Sequence, residues 1–158
     1  MQTIYALILS MMLTVSLGSG CLSQPVRPDL TTDKRSSQFA TEEARLAFLQ
    51  RYAKLITPVQ ATEFHIIYHD NSGGLVAGPS DWDIRALLKV RPDDMPKWTA
   101  NLQPASPDQI DLTWAKSFGA QNPAWRLTSQ PQVYQKAGMV VALFAPESIV
   151  FIWSTTQF

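Results

Sequence analysis

Two runs, MVVALF (139–144) and IVFIW (149–153), constrain the fold of this chain more than any other stretch. Each is an unbroken series of β-formers, and only Ala145-Pro146-Glu147-Ser148 separates them. That arrangement predicts an antiparallel hairpin with a four-residue loop. Side chains alternate between the two faces of a strand, so a run that is apolar at every position has no face to show to water. The hairpin must be central in a sheet or covered by helices. WDIRALLKV (82–90) alternates instead, with Trp82, Ile84, Ala86, Leu88 and Val90 on one face. Asp83, Arg85, Leu87 and Lys89 fall on the other, which predicts a half-buried strand. TEFHIIYHD (62–70), β-branched and aromatic, predicts a further strand that turns at Asn71-Ser72-Gly73-Gly74. PQVYQK (131–136) supplies one more.

Helical signals stand between these strands. Thr41 suits an N-cap, and Glu42 and Glu43 follow in the first turn, where the helix dipole favours anions. Ala44, Phe48, Tyr52 and Leu55 then keep helical spacing, flanked by Leu49, Ala53 and Ile56, until Pro58. In 91–104, Asp93 or Asp94 is the expected cap of a short helix that turns Met95, Trp98 and Leu102 inward. Segment 106–119 carries two signals. Ser106-Pro107-Asp108-Gln109 resembles a capping box, whereas Ile110, Leu112 and Trp114 alternate as in a strand; a helix ending at Gly119 is expected. The sum is an α+β domain: an antiparallel sheet of about four to five strands, with two to three helices packed mainly on one face. Of the five tryptophans, Trp82, Trp98 and Trp153 fall on expected core faces, and Trp125 in NPAWR is expected to be the exposed one.

The 158 residues fit one domain, expected over 41–158, and a hydrophobic content of 46% is enough for a packed core. Lys+Arg and Asp+Glu balance at 13 each, which argues against a nucleic-acid partner.

The first 21 residues hold no charged side chain. Ile4 to Leu17 is an apolar run, too short for a permanent span, and Gly18, Ser19 and Gly20 follow it. This is the layout of a secretory signal over residues 1–20. The chain's sole cysteine, Cys21, comes next. Leu17-Gly18-Ser19-Gly20-Cys21 resembles the lipobox of bacterial lipoproteins, with Gly18 where leucine is usual and no basic residue ahead of the apolar run. The resemblance implies cleavage before Cys21, lipidation of its thiol and anchorage to a membrane of the cell envelope. Leu22, in place of aspartate, resembles the pattern that sorts such proteins to the periplasmic face of the outer membrane. Residues 21–40, rich in Pro, Ser and Thr, are expected to be the lipidated N-terminus and a tether.

Both histidines lie in HIIYHD (65–70). Four residues apart on a helix they would share one zinc ion, but on a strand the same interval spans ~13 Å. Ile66, Ile67 and Tyr68 favour the strand, so no metal site and no cofactor are expected. His69, Asp70 and Ser72 form an alternative, a small periplasmic hydrolase, although no nucleophile elbow surrounds the serine. Asp83, Arg85 and Lys89 share a polar strand face that could bind an anion. The glycine-rich stretch 71–83 is longer than a plain hairpin needs, and Leu75, Val76, Asp81 and Trp82 within it are the candidate interaction residues. The expected function is a lipid-anchored, non-catalytic binding module of the inhibitor, immunity or accessory-factor kind. Its partners are the membrane through Cys21 and a protein of the envelope.

Overall fold

The computed structural model describes residues 32–70 and 80–156. Among these, seven strands form one antiparallel sheet: β1 (Thr32–Arg35), β2 (Ala61–His69), β3 (Asp81–Lys89), β4 (Gln103–Ala105), β5 (Gln132–Lys136), β6 (Met139–Phe144) and β7 (Ile149–Thr155). Their order across the sheet is β1-β2-β3-β7-β6-β5-β4. The longer helices that join them are α1 (Glu42–Leu49), a 3-10 helix over Pro92–Thr99, and α2 (Thr113–Gln121). The fold is α+β with an antiparallel sheet, as the sequence predicts. It has more strands than the expected four to five, because β1 (TDKR) and β4 (QPA) hold too few apolar residues to alternate.

The terminal hairpin is central, as its composition requires, and β3 lies beside it. Alternate residues of these strands feed two separate cores. Phe64, Ile66, Ile84, Ala86, Leu88, Val141, Leu143, Val150 and Ile152 meet Leu49 of α1 and Met95 and Trp98 of the 3-10 helix. On the opposite face Leu87, Val133, Ala142, Phe144, Ile149 and Phe151 meet Ile110, Ala115 of α2, and Trp125. The expectation of helices mainly on one face is therefore corrected. Leu87, on the nominally polar side of β3, is fully buried, and α2 is what covers it.

Several local expectations also change. Thr41 Oγ1 accepts from Ala44 N at 3.2 Å, so α1 starts as predicted. It ends at Leu49 and not near Pro58, because Arg51 and Tyr52 donate to carbonyls only three residues back, which tightens the turn. The chain then leaves for β2, and Trp98 Nε1 pins its path by donating to Thr57 Oγ1 at 3.0 Å. Residues 32–40, expected in the tether, belong to the folded unit: β1 is paired, Ser36 is buried and Phe39 packs on the core. In segment 106–119 a single 3-10 turn (Pro107–Gln109) precedes α2, and α2 runs past Gly119.

Gly119 is required for closeness, not for helix termination. A Cβ there would lie 2.8 Å from Arg126 Cα and 2.9 Å from Trp125 O. Asn122 Oδ1 accepts from Ala124 N at 3.0 Å and folds the chain back, so that Trp125, expected to be exposed, is buried beneath α2. Helix propensity alone would make Gly119→Ala stabilising by about 1 kcal/mol. The backbone contact reverses the sign, and we expect a loss of about 1–3 kcal/mol in urea-unfolding free energy.

In the hairpin loop Glu147 takes four hydrogen bonds. Thr128 N and Oγ1 donate to its Oε1 at 2.8 and 2.7 Å, Ser129 N to the same oxygen at 2.8 Å, and Ser129 Oγ to Oε2 at 2.6 Å. Burial by itself would raise this carboxyl, but the Ser129 and Thr128 donors outweigh it and lower its pKa to about 2. A depressed folded-state value means that the unfolded chain binds the extra proton. The stabilisation is present above the unfolded value of 4.5 and is lost as pH falls toward about 2. Unfolding free energy measured over this window is expected to fall less steeply in Glu147→Gln than in the wild type.

Candidate functional site

One stretch of the second sheet face is left open by α2. Arg35, His65, Arg85 and Trp153 occupy one register row across β1, β2, β3 and β7. Opposed residues stand ~5 Å apart, so two guanidiniums, an imidazole and an indole share a strip about 15 Å long. Asp33, Ile67, Asp83 and Thr155 form the next row on the same face. The two rows are tied together. His65 Nε2 lies 2.8 Å from Asp33 Oδ1, and Arg35 Nε is 3.9 Å from that oxygen. Trp153 Nε1 donates to Asp83 Oδ1 at 3.0 Å, and Arg85 Nη2 meets Asp83 Oδ2 at 3.2 Å. The Arg85 guanidinium sits 5.3 Å from the centre of the Trp153 ring. Asp83 thus orients both the cation and the ring. Arg85 and Asp83 each keep about a third of their surface exposed, at 33% and 31%.

Where α2 meets this strip there is a cleft of about 210 Å³, lined by Arg35, Ser37, His65, Trp114, Ser117 and Gln121 among others. Trp114 packs edge-on against Phe118 and reaches Phe151, which fixes this aromatic wall. Asp111, just ahead of α2, accepts from Thr113 N at 2.8 Å. That backbone hydrogen bond holds its carboxyl below the usual range, with a smaller contribution from Arg85. A larger hollow, about 550 Å³, opens between the start of α2 and Leu127–Pro131. Of its two acids, Asp108 and Asp111, the latter is already engaged by the Thr113 N–H, so we place the site in the smaller cleft and the adjoining strip.

A buried polar group sets the edge of the cleft. Ser36 Oγ donates to Glu63 Oε2, and Arg45 Nη1 donates to Glu63 Oε1 at 2.9 Å. Beside them Glu42 Oε1 accepts the Thr62 N–H at 2.5 Å, on the stretch of β2 that β1 does not reach. Burial raises the Glu42 carboxyl above its ordinary value, against the opposing pull of the Thr62 N–H and Arg45. The strip and this edge differ in what they contribute to stability. His65→Ala with Arg85→Ala is expected to cost about 1 kcal/mol, because ion pairs whose partners reach solvent contribute little. Glu63→Ala, which strands Ser36 and Arg45, is expected to cost about 2–4 kcal/mol by thermal unfolding.

Of the catalytic and interaction residues singled out in the sequence, those that are described (His69, Asp70, Asp81 and Trp82) lie together where β2 ends and β3 begins. HIIYH (65–69) ends β2 and Asp70 follows it; His65 and His69 share the second face of the strand, with His65 engaged by Asp33 and His69 exposed. Asp70 Oδ1 accepts from Ser80 Oγ at 3.3 Å. Among the described residues no three His, Cys, Asp or Glu side chains gather so as to hold a metal ion. Cys21, Ser72, Leu75 and Val76 lie outside the described residues. Asp81 stands opposite His69 in the register. Trp82, expected in the core, is 36% exposed, and its ring meets that of Tyr68 in a tilted contact at 6.0 Å. Trp153, also expected in the core, is only half-buried. The sequence showed Arg85 beside Asp83 but not Asp33 or Arg35, whose all-polar strand carries no apolar alternation. No protein family, curated protein or solved structure matches the chain.

Proposed function

We propose that this chain is a lipid-anchored protein of the bacterial cell envelope, held by Cys21 at the periplasmic face of the outer membrane. Its domain works as a non-catalytic binding module of the inhibitor, immunity or accessory-factor kind, and its partner is another envelope protein. The observation that carries the binding reading is the open strip of Arg35, His65, Arg85 and Trp153. Arginine and tryptophan dominate binding hot spots, and side chains already held in place lose little entropy when a partner docks. Asp33 and Asp83 supply that hold here. The anchoring reading rests on the lone cysteine after Gly18-Ser19-Gly20.

Two measurements on the full chain in a bacterial host test this. Cys21→Ala is expected to move the protein from the membrane fraction to the soluble one; a variant that stays in the membrane sinks the lipid anchor. After cross-linking in cells, the wild type is expected to retain one envelope protein in stoichiometric amount. Arg85→Ala with Trp153→Ala should retain it at least tenfold less, a loss of about 1.4 kcal/mol or more. Equal retention by both forms would place the partner site elsewhere.

A further inference from the structure

The opposite face of the sheet ends in an apolar patch that nothing described so far uses. Among the described residues, Ile56 and Trp82 are the two large apolar side chains most open to solvent, at 51% and 36%. Ile56 borders an apolar groove of about 130 Å³ with Tyr52, Ile84, Trp98 and Met139. Trp82 lies two residues before Ile84 on β3, hence on the same face, and the Tyr68 ring packs tilted against it at 6.0 Å. Lys54 borders the groove too, and Lys34 stands opposite Ile66, whose face also carries Tyr68. Indole and phenol rings beside lysines are the side chains that settle at a membrane–water interface.

The point where the chain enters the domain falls at the same end. Thr32 opens β1 and is opposed to Tyr68, which in turn is opposed to Trp82. Ten residues, Leu22 to Thr31, separate Thr32 from Cys21. Even fully extended, that interval reaches at most ~40 Å. An anchor at Cys21 therefore keeps the start of β1 within ~40 Å of the bilayer, and that short reach raises the effective concentration of any membrane-binding side chain at this end.

We propose that the Trp82–Tyr68–Ile56 patch docks on the lipid surface of the membrane that holds the chain. The patch is a second, weak attachment that orients the domain, and the Arg85–Trp153 strip on the other face stays clear of the lipid. This inference rests on the anchored reading of the N-terminus. Its test is independent of what the anchor is chemically. The full chain is reconstituted into vesicles of phosphatidylethanolamine and phosphatidylglycerol, with and without lipids brominated near the top of the acyl chains. Bromine quenches only tryptophans at the interface, so wild-type emission should fall by up to about one fifth, the share of one tryptophan in five. Trp82→Phe should lose that quenching while remaining vesicle-bound, and Ile56→Ser should weaken it. Equal quenching in wild type and Trp82→Phe, or none in a vesicle-bound wild type, overturns the proposal. So does cross-linking of the patch to a second copy or to a protein in place of lipid. Failure of the anchor itself is read separately, from the fractionation of Cys21→Ala.

Discussion

Leu87 and Leu88 are neighbours in β3, point to opposite sides of the sheet, and are both fully buried. A strand that hides both faces cannot be at an edge and cannot be half of a bare sheet. The rest of the chain follows from this requirement. β7 and β6 lie on one side of β3 and are equally apolar; β2 lies on the other. α1 and the 3-10 helix close one face, and α2 with Trp125 closes the other. Two thin cores share one layer of backbone, so a one-residue slip of the hairpin would exchange residues between the cores and disrupt the packing of both at once.

Covering two faces with so few helices leaves gaps, and the polar chemistry gathers in them. α2 is only nine residues long, ~13 Å at 1.5 Å per residue, and cannot shield strands of twice that length. One face of the sheet leaves Arg85, Asp83 and Trp153 partly exposed, and the other leaves Trp82 and Tyr68 so. The open edge of β2 is a third gap. There Glu42 takes up the Thr62 N–H, and Glu63 draws in Ser36 and Arg45. An unpaired N–H at a sheet edge invites another strand, and a carboxylate bonded to it blocks that pairing. At the other edge β4 is three residues long and contains Pro104, which has no N–H to offer.

What could be read in the sequence was whatever depends on periodicity. β2, β3, β5 and the hairpin, the start of α1 and the inward Met95 and Trp98 all follow from local pattern. What could not be read depends on distant partners. The four residues of β1 are strand only because Thr32 to Arg35 meet His65 to Tyr68 across about thirty positions of chain or more. Trp125 is buried because a capped turn returns it to α2, and Gly119 is explained only by what lies against it. The strip shows the same division. Asp83 and Arg85 were visible as one strand's polar face, whereas the row with Arg35, His65 and Trp153 exists only once three strand pairings are known.

The placement of β1 has a mechanical side. Any pull on the chain ahead of Thr32 enters the fold through an edge strand four residues long, held by one neighbour. Its hydrogen bonds to β2 take the load first, and after Arg35 the load reaches Ser36, the first wholly buried side chain along the path. The hydroxyl of Ser36 is held by Glu63, which Arg45 also grips from α1. Tension that peels β1 from its neighbour would therefore meet this junction before it reaches either core.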